Sequence, residues 1–490
     1  MKRILTTIVS LLLSMALVLT MTSCGGRNKN QENQEITWHM MKPSDNLSSQ
    51  NLVEEEANRI IQEEIGAKLK FDFIDAGSWA EKMNVMINSG EEFDIFQTSS
   101  DSAATSIVMN AKKGTFMDLT ELLDKYGQDI KAKVDPRAWD AVTFDGKILA
   151  IPSQAKWVPE LGYVFKKDLV EKYNFDYKSV KSLKDLEPYF DILLENEPDI
   201  IPAYVVGAGN GSGLEESYHG KYTPCDVPGV LFDEDKEEFV DFLSAKLDEY
   251  KLKHEWYKKG YIAADALSRT DSAESKTGKY AVLTQAGAIT LDGSKSTAVY
   301  GYPCVEIYVG MDKIPPQNIM NGNAISATCK NPEKAMQLLN LIWKDDYLIN
   351  TLAYGVEGVN YAYESGKGTD SPTVVPKTGS ERTWAVWHNW MGPLWAQWNS
   401  SWNSTEALQE MKKANETAEM SKTVGVMFDM ESILTEVAAL TGVVNASSPV
   451  LFCGAMDDFD KYTAEVAEKL KEAGIEKVLE ELNRQYQEQK

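Results

Sequence analysis

The sequence predicts an α/β fold divided into two lobes, and three observations indicate it. Strand and helix patterns alternate from Glu35 to Ser99, which is typical of a parallel sheet covered on both faces. The same alternation restarts beyond Ala150. About 455 residues follow the N-terminal segments (490 minus 35), more than one hydrophobic core normally supports.

The first part of the chain predicts a parallel sheet with helices between its strands. Its segments follow in the order strand EITWHMM (35–41), helix NLVEEEANRIIQEEIG (51–66), strand AKLKFDFID (67–75), a second helix, and strand FDIFQTS (93–99). We expect Gly66 and Gly90 to end the two helices and Ser78 to cap the second one. Ligands of such open sheets bind in the crevice beyond the carboxyl ends of the strands.

A second set of strands and helices begins after a predicted hairpin. Asp145 and Gly146 form a turn between two apolar runs. Strand and helix patterns then follow in LGYVFKKDLVEKY (161–173), SLKDLEPYFDILL (182–194), DIIPAYVVG (199–207) and EFVDFLSAKLDEYKLKHEWYKKG (238–260). Further along, Asn331 and Pro332 begin a helix, and two C-terminal helices meet at Gly474.

The N-terminal segment predicts export and anchoring. Two basic residues precede an apolar run from Ile4 to Leu19 and then TMTSCGG, which is typical of a secretory signal peptide at residues 1–23. By length alone this run also suits a membrane-spanning helix. The residues before Cys24 resemble a bacterial lipobox, although Met21 replaces the usual leucine. We therefore expect lipidation of Cys24, a tether over residues 24–35, and a mature protein anchored on the extracellular face of the cell membrane.

Charge and composition narrow the partners and cofactors. The formal net charge of −24 becomes −26 once Lys2 and Arg3 are removed (−24 − 2), so nucleic acid is a poor partner. The four cysteines beyond the anchor lack CxxC spacing and the four histidines lack paired spacing, so we expect no metal and no cofactor. Disulfides are permitted outside the cell, but isolated buried thiols are the preferred interpretation.

The order of several motifs resembles a known family. WHMMKPSDN, SGEEFDIF, FDGKILAIP, YVFKKDLVEKY, GKYAVL, ISATCKNPEKAMQLLNLIW, YGVEGVNY and KLKEAGIEKVLEELNRQ occur in this order. Together they resemble the family-1 extracellular solute-binding proteins, and more narrowly the lipoprotein branch with an extra C-terminal domain, found mainly in Gram-positive bacteria. The resemblance implies a two-lobed, periplasmic-binding-protein-like (type II) fold with a ligand cleft that closes by hinge motion.

The same resemblance implies a division into lobes and a set of partners. The N-terminal lobe would comprise residues 36–150 plus 318–348, and the C-terminal lobe residues 151–317 plus 349–490, including the extra segment. Chain passages between lobes would fall near 150–153, near 315–320 and after Leu348. The implied partners are a carbohydrate, usually an oligosaccharide, and the permease subunits of an ABC importer, with the protein itself a monomer.

Half of the 12 tryptophans lie between Thr383 and Trp402. Such rings serve core packing, an interface, or stacking on a flat ligand such as a sugar. Spacing of three between Trp384, Trp387 and Trp390 also fits a buried helical stripe, although Gly392-Pro393 interrupts any helix. We expect at least one of these rings to contact the ligand.

Further candidate ligand-binding residues are polar or aromatic side chains expected at strand ends and passages. They are Lys42, Asp45, Ser100, Asp101, Gln154, Lys156, Trp157, Asn210, Gln285, Glu357, Asn360 and Tyr361. Trp157 is the preferred stacking residue. A helix N-cap is the alternative role for Asp45 and Asp101, and a helix-terminating turn for Glu357.

The function that follows from these features is carbohydrate capture for an ABC importer, without enzymatic activity. One alternative is a surface lipoprotein that captures glycans or presents a ligand to a sensor, with the same fold and other partners. A remoter alternative is an extracellular glycoside hydrolase, which would need two carboxylates facing each other across the scissile bond. The residue pattern does not specify the sugar, its linkage or its length.

Overall fold

The described residues form six β-sheets, and the two largest, one of five strands and one of four, lie in two lobes joined by passing segments. The computed structural model describes residues 34–98, 104–158, 161–207, 213–218, 220–269, 272–284, 293–310, 313–400 and 404–490. These two largest sheets belong to separate clusters of buried apolar side chains. This arrangement confirms the predicted two-lobed α/β fold.

The strands are numbered in chain order. They are β1 (Gln34–Met41), β2 (Ala67–Ile74), β3 (Ile95–Thr98), β4 (Thr143–Phe144), β5 (Lys147–Ile148), β6 (Ile151–Pro152), β7 (Gly162–Lys166), β8 (Ile201–Ala203), β9 (Tyr222–Pro224), β10 (Val230–Asp233), β11 (Glu238–Asp241), β12 (Tyr280–Thr284), β13 (Cys304–Tyr308), β14 (Lys313–Ile314), β15 (Gly322–Ile325), β16 (Tyr361–Ser365), β17 (Thr373–Pro376), β18 (Asn399–Ser400) and β19 (Glu419–Met420).

The α-helices are numbered in the same way. They are α1 (Gln50–Ile65), α2 (Ala76–Ser89), α3 (Ile107–Asn110), α4 (Thr120–Tyr126), α5 (Gln128–Lys133), α6 (Lys167–Tyr173), α7 (Glu187–Asn196), α8 (Phe242–Ala245), α9 (Leu247–Lys259), α10 (Ser294–Tyr300), α11 (Pro316–Ile319), α12 (Pro332–Lys344), α13 (Asp346–Tyr354), α14 (His388–Met391), α15 (Thr405–Thr417), α16 (Leu434–Cys453), α17 (Phe459–Glu472) and α18 (Ile475–Gln489).

The first lobe contains a five-stranded sheet in the order β2-β1-β3-β15-β6. Strand β1 runs parallel to β2 and β3, while β15 is antiparallel to β3 and β6. Strands β1, β2, β3 and β6 therefore end at the same edge of the sheet, and β15 begins there. Ile36, Trp38 and Met40 alternate along β1 and are fully buried, so one face of the sheet lies against the core.

The sequence correctly predicts where the first two helices of the first lobe end, but it predicts the wrong N-cap for the second helix. Gly66 and Gly90 end α1 and α2 with φ angles of 64° and 69°, as predicted. The prediction that Ser78 caps α2 is wrong, because α2 begins at Ala76 and Asp75 is its N-cap. The Ser78 hydroxyl instead donates back to the Asp75 carbonyl oxygen at 3.2 Å.

Other local predictions are confirmed. Asp145 and Gly146, both at positive φ (48° and 74°), connect β4 to β5. Pro332 opens α12 directly after Asn331, and Gly474 separates α17 from α18. The four cysteines that the structure describes are free thiols, in agreement with the preferred interpretation; they are Cys225, Cys304, Cys329 and Cys453.

The second lobe contains a four-stranded sheet in the order β13-β7-β12-β8. Strand β7 is antiparallel to β12 and β13, whereas β12 and β8 are parallel. The first residue of β7, Gly162, pairs with Tyr308 at the end of β13, and Tyr163 of β7 pairs with Thr284 at the end of β12. The carboxyl ends of β8, β12 and β13 thus lie at the edge where the chain arrives from the first lobe.

Residues after Leu348 pack differently from the expected division into lobes. Helix α13 contacts α1 and α12, and Ile349, Leu352 and Ala353 are buried in the cluster that contains the first sheet. The chain leaves this lobe only near β19, which pairs with β14. The expected division assigns residues 349–490 to the C-terminal lobe; the apolar face of α13 instead finds its partners on the first lobe.

The C-terminal helices contact both lobes. Helix α16 packs against α9 of the second lobe, and α18 packs against β11. On the other side, Lys112 of the first lobe pairs with Asp429 at 2.7 Å. Among the described residues, Glu431–Cys453 is long and apolar enough to cross a membrane by length and composition alone; here it packs against α9, α17 and α18.

A buried ion pair lies where α16 meets the second lobe. Lys253 Nζ lies 2.7 Å from Glu249 Oε1, and both side chains are at most 1% exposed. The Tyr218 hydroxyl donates to Glu249 Oε2 at 2.9 Å, and the ammonium lies 3.4 Å from the centre of the Phe452 ring of α16. Although burial raises the pKa of the Glu249 carboxyl, the charges of Lys253 and Lys246 lower it overall.

Substitution Lys253→Ala should destabilise the protein by about 3 to 5 kcal/mol, because it leaves the Glu249 carboxylate buried without a cation. Urea unfolding followed by circular dichroism measures the loss. The control is Lys125→Ala, which removes an exposed partner of Glu121 on one helix face and should change stability by less than about 0.5 kcal/mol. Equal effects of the two substitutions would contradict the prediction.

Candidate functional site

The edges that carry the strand ends of both lobes meet at the passages between them. Strand β6 ends at Pro152 on the first-lobe edge, and β7 begins at Gly162 on the second-lobe edge. The returning chain enters the first lobe at Gly322, which pairs with Pro152. Because ligands of open sheets bind beyond the carboxyl ends of the strands, the candidate site lies beside these passages.

The Trp-rich segment (residues 383–400) runs along this edge of the first sheet. It begins beside α1, where Ser49 N donates to Thr383 O at 3.1 Å. It then passes β15, where Asn323 Nδ2 donates to Trp390 O at 2.9 Å. It reaches the end of β6, where Gln154 N donates to Gly392 O at 2.8 Å. The segment therefore borders the edge from β1 to β6.

Gly392 allows this close approach. Its φ is 132°, and a Cβ there would lie 2.6 Å from Nε1 of Trp343 on α12. A larger residue would therefore clash with the indole and adopt a backbone conformation that only glycine readily takes. Helix α14 ends at Met391, so Gly392 and Pro393 interrupt the helix as predicted. The chain turns there toward Gln154.

A cavity of about 590 Å³, here called the indole cavity, lies at the β6 end of the Trp-rich segment. Its walls come from α5 and the turn after it, the loop after β6, the start of α13, the Trp-rich segment and α15. The lining residues are Ala132, Lys133, Val134, Asp135, Pro136, Gln154, Trp157, Asp346, Pro393, Trp395, Ala396, Lys412, Asn415 and Glu416.

Hydrogen bonds hold the Trp157 ring and the Trp395 backbone at this cavity. Trp157 is 3% exposed, and its Nε1 donates to Ser153 O at 3.1 Å. Gln154 accepts from Trp395 N at 3.0 Å through Oε1 and donates to Lys133 O at 2.9 Å through Nε2. The amide of Gln154 thus fixes the Trp395 backbone against α5, and the bond to Ser153 fixes the Trp157 ring.

Charges of both signs surround the indoles. Lys133 Nζ lies 3.5 Å from Asp346 Oδ1, and Arg137 pairs with Asp135 at 2.7 Å. Although partial burial raises the pKa of Asp135, hydrogen bonds from Arg137 lower it overall, so this carboxyl stays ionised. Carboxylates, amides and ammonium groups beside flat apolar rings match the alternating hydroxyls and C–H faces of a sugar.

Three predicted residues lie on one loop at the cavity. Gln154 and Trp157 line it, and Lys156 is half-buried between them. We predicted these residues because a passage between lobes should face the ligand, and the structure places them together at the cavity. Trp395 belongs to the same Trp-rich stretch but is not among the predicted site residues, and Asn415 on α15 was missed because its sequence carries no signal beyond a helix.

Lys42 and Asp45 follow β1 at the edge that borders the site. Lys42 Nζ pairs with Asp75, which follows β2, at 3.4 Å, and Asp45 is exposed. The alternative role of Asp45 as a helix N-cap is wrong, because Ser49 occupies that position before α1. Their contact with a ligand stays a prediction.

The residues of YGVEGVNY do not line the indole cavity. Glu357 is exposed and pairs with Lys367 at 2.7 Å. Asn360 is 3% exposed and donates to Ser49 Oγ and Thr383 Oγ1. Tyr361 is 2% exposed and packs against Trp398. The glycine-flanked turn therefore fastens the Trp-rich segment to α1, and contact of Glu357, Asn360 and Tyr361 with a ligand stays a prediction.

The three predicted tryptophans of the segment have different environments. Trp384 is 2% exposed, donates to Leu352 O at 2.9 Å and packs on Phe71 and Phe73. Trp387 is 38% exposed beneath Arg382, and Trp390 is half-buried against the core. Trp384 is thus a core residue, which was the alternative reading of the spacing of three.

Five predicted residues lie outside the described residues. They are Cys24, Ser100, Asp101, Asn210 and Gln285. In the part of the chain that the structure describes, no group of three or more His, Cys, Asp or Glu side chains is placed to hold a metal ion.

Comparisons with known proteins identify similar chains. Residues 46–347 match the family model described as bacterial extracellular solute-binding protein, which is 302 of 490 residues (347 − 46 + 1). Residues 422–490 match a domain of unknown function (DUF3502). A carbohydrate ABC transporter substrate-binding protein of Streptococcus pneumoniae serotype 4 is 29% identical over 449 residues, which cover 88% of this chain and 86% of that protein.

Solved structures agree with this match. The crystal structure of the N-glycan transport solute binding protein NgtS from Streptococcus pneumoniae has a TM-score of 0.79 at 26% identity, covering 93% of this chain and 99% of that chain. The same protein in complex with Man5GlcNAc has a TM-score of 0.67 at 26% identity, covering 93% and 98%.

His388 in the Trp-rich segment gives a prediction about pH. Burial lowers its pKa to about 3, and its Nε2 lies 3.0 Å from Asn350 Oδ1. The unfolded chain binds a proton below pH of about 6.5 and the folded chain does not, so stability falls by about 1.4 kcal/mol per pH unit as the pH drops below that value. Thermal melts of His388→Gln from pH 8 to pH 5 should show a shallower loss than the parent protein.

Matched melts at pH 8 serve as the control, because the imidazole is neutral there in both states. Identical pH dependence in the parent protein and His388→Gln would contradict the assignment of a buried neutral His388.

Proposed function

The chain belongs to the family of bacterial extracellular solute-binding proteins, and from this premise we propose that it captures an oligosaccharide outside the cell membrane for an ABC importer. The indole cavity is the observation that carries this proposal. It combines a fixed Trp157 ring, the half-buried Trp395, a buried amide and charged groups, and it adjoins the loop by which the chain leaves the first lobe. A ligand held there is well placed to influence the angle between the lobes.

The proposed ligand is an uncharged glycan of the mannose and N-acetylglucosamine type. Support comes from the similar streptococcal protein, whose crystal structure is of a complex with Man5GlcNAc. In this chain, the apolar face of a sugar ring would stack on the half-buried Trp395, beside the edge of Trp157, which is 3% exposed. The carboxylates and ammonium groups of the cavity would bind hydroxyls. Lys42 and Asp45 would contact parts of the glycan that extend along the sheet edge.

The proposal includes a location and a mode of action. The signal peptide would direct export, and the lipidated Cys24 would hold a monomeric protein on the extracellular face of the cell membrane, with permease subunits as its partners. The protein would bind its glycan without cleaving it. The sensor and glycoside hydrolase alternatives gain no support from a specific contact in the described residues.

Binding to Man5GlcNAc measured by calorimetry tests the function. We expect stoichiometric binding, a higher melting temperature with ligand, and no cleavage products after prolonged incubation. Substitution Trp395→Ala should weaken binding by about tenfold to hundredfold, because truncation of a tryptophan that dominates a binding site costs about 2 kcal/mol or more. Trp157→Phe, which keeps a ring but loses the bond to Ser153, should weaken binding less.

The control for these variants is Trp139→Ala, because Trp139 is half-buried near the cavity without lining it. Its glycan affinity should stay within about twofold of the parent protein. Cleavage of the glycan would support the hydrolase instead. A screen in which peptides bind and glycans do not would contradict the ligand class.

Charge should discriminate among glycans. The chain carries a formal net charge of −24, and Asp135, Asp346 and Glu416 line the cavity beside only two lysines. An oligosaccharide of uronic acids should therefore bind at least about tenfold more weakly than a neutral glycan of equal length at low salt. The difference in affinity between the two glycans should be smaller in 500 mM NaCl than in 50 mM NaCl, since salt screens the repulsion. Tighter binding of the acidic glycan would contradict the prediction.

A further inference from the structure

We propose that Asn415 of α15 is a positioning residue that couples the ligand-binding wall of the indole cavity to the movement of the two lobes. The inference deepens the proposed function and rests on it for its ligand. Asn415 is 4% exposed and lies between the cavity and the passages, with every polar atom of its side chain engaged.

The side chain of Asn415 holds the loop by which the chain leaves the first lobe. Its Oδ1 accepts from Trp157 N at 3.0 Å and from Val158 N at 3.4 Å. Its Nδ2 donates to Ala155 O at 2.7 Å. One amide therefore satisfies three backbone groups on the loop that carries the Trp157 ring, and it fixes where that ring stands.

The backbone of Asn415 is fastened in turn to the first lobe. Arg137 donates to Asn415 O at 2.7 Å and to Ala418 O at 3.0 Å. The Asp135 carboxylate holds the same guanidinium, with a hydrogen bond of 2.7 Å. The C-terminal end of α15 is thus fixed against the turn that forms the opposite wall of the cavity.

The helix also leads directly into the remaining passages. One residue beyond Ala418, Glu419 begins β19, which pairs in parallel with Lys313 and Ile314 of β14. Strand β14 belongs to the chain that returns from the second lobe to Gly322. The short segment 415–420 therefore touches all three connections between the lobes, and a change in lobe angle that displaces them is transmitted to α15.

Loss of the Asn415 amide has two separable consequences. The loop of Trp157 keeps buried backbone groups without partners, so the ring loses its set position and a ligand must order it again. The connection between the first passage and the β14–β19 pair is also loosened, so the angle between the lobes becomes less restricted even without ligand. A residue with only a structural role would lower the melting temperature without these two effects.

The experiment compares Asn415→Ala with the matched variant Asn483→Ala. Asn483 on α18 makes the same kind of amide contact, to Phe239 N at 2.7 Å and Phe239 O at 3.3 Å, away from the cavity. We expect Asn415→Ala to weaken Man5GlcNAc binding by about tenfold or more relative to Asn483→Ala. Small-angle scattering of the ligand-free protein should show a changed radius of gyration for Asn415→Ala alone.

A third variant separates the roles of the two amide atoms. Asn415→Asp keeps an acceptor for Trp157 N and Val158 N but turns a carboxylate oxygen toward Ala155 O in place of the donor. Because the two oxygens repel each other, its glycan affinity should be no higher than that of Asn415→Ala, whereas affinity near that of the parent protein would show that the acceptor alone suffices. Equal glycan affinity and equal scattering for Asn415→Ala and Asn483→Ala would overturn the inference. If the parent protein binds no glycan, the proposed function fails, and the ligand-free scattering still decides whether Asn415 restrains the lobes.

Discussion

The insertion of β15 between β3 and β6 is the constraint on which the rest of the structure depends. This pairing makes Pro152 and Gly322 neighbours, so the chain leaves and re-enters the first lobe at one point of one sheet edge. The contact is tight, because a Cβ on Gly322 would lie 2.1 Å from the Ile151 carbonyl oxygen. Both connections therefore start from the edge where the parallel strands end, and the second sheet presents its own strand ends to the same place.

This constraint explains why the aromatic segment and α15 lie where they do. The strand ends of an open sheet leave a crevice that must be lined, and the Trp-rich segment lines it from Ser49 to Gln154. Some of its rings, such as Trp384, fill the core, whereas Trp395 reaches the indole cavity. Some tryptophans of this short segment thus pack in the core, while Trp395 faces the cavity. The amide of Gln154 holds the backbone of Trp395 in place.

The predictable features were those with local causes. The alternation of periods from β1 to β3 and the glycine stops of α1 and α2 depend on neighbouring residues, so the sequence indicates them. Gln154 and Trp157, by contrast, followed from the first passage between the lobes, whose position near 150–153 the family resemblance implied. Spacing alone did not distinguish Trp384 from Trp395, because it does not reveal which side of the segment meets the core.

The features that were not predictable depend on residues far apart in the chain. The pairing of Ile314 with Met420 sets where the chain finally leaves the first lobe, and the cation of Lys253 against Phe452 attaches α16; neither has a local sequence signal. A crystal structure of the protein with Man5GlcNAc would locate the ligand. We expect a sugar ring against Trp395 beside Trp157, with the two sheet edges closer together; a glycan bound elsewhere, with Trp395 uncovered, would contradict the proposed site.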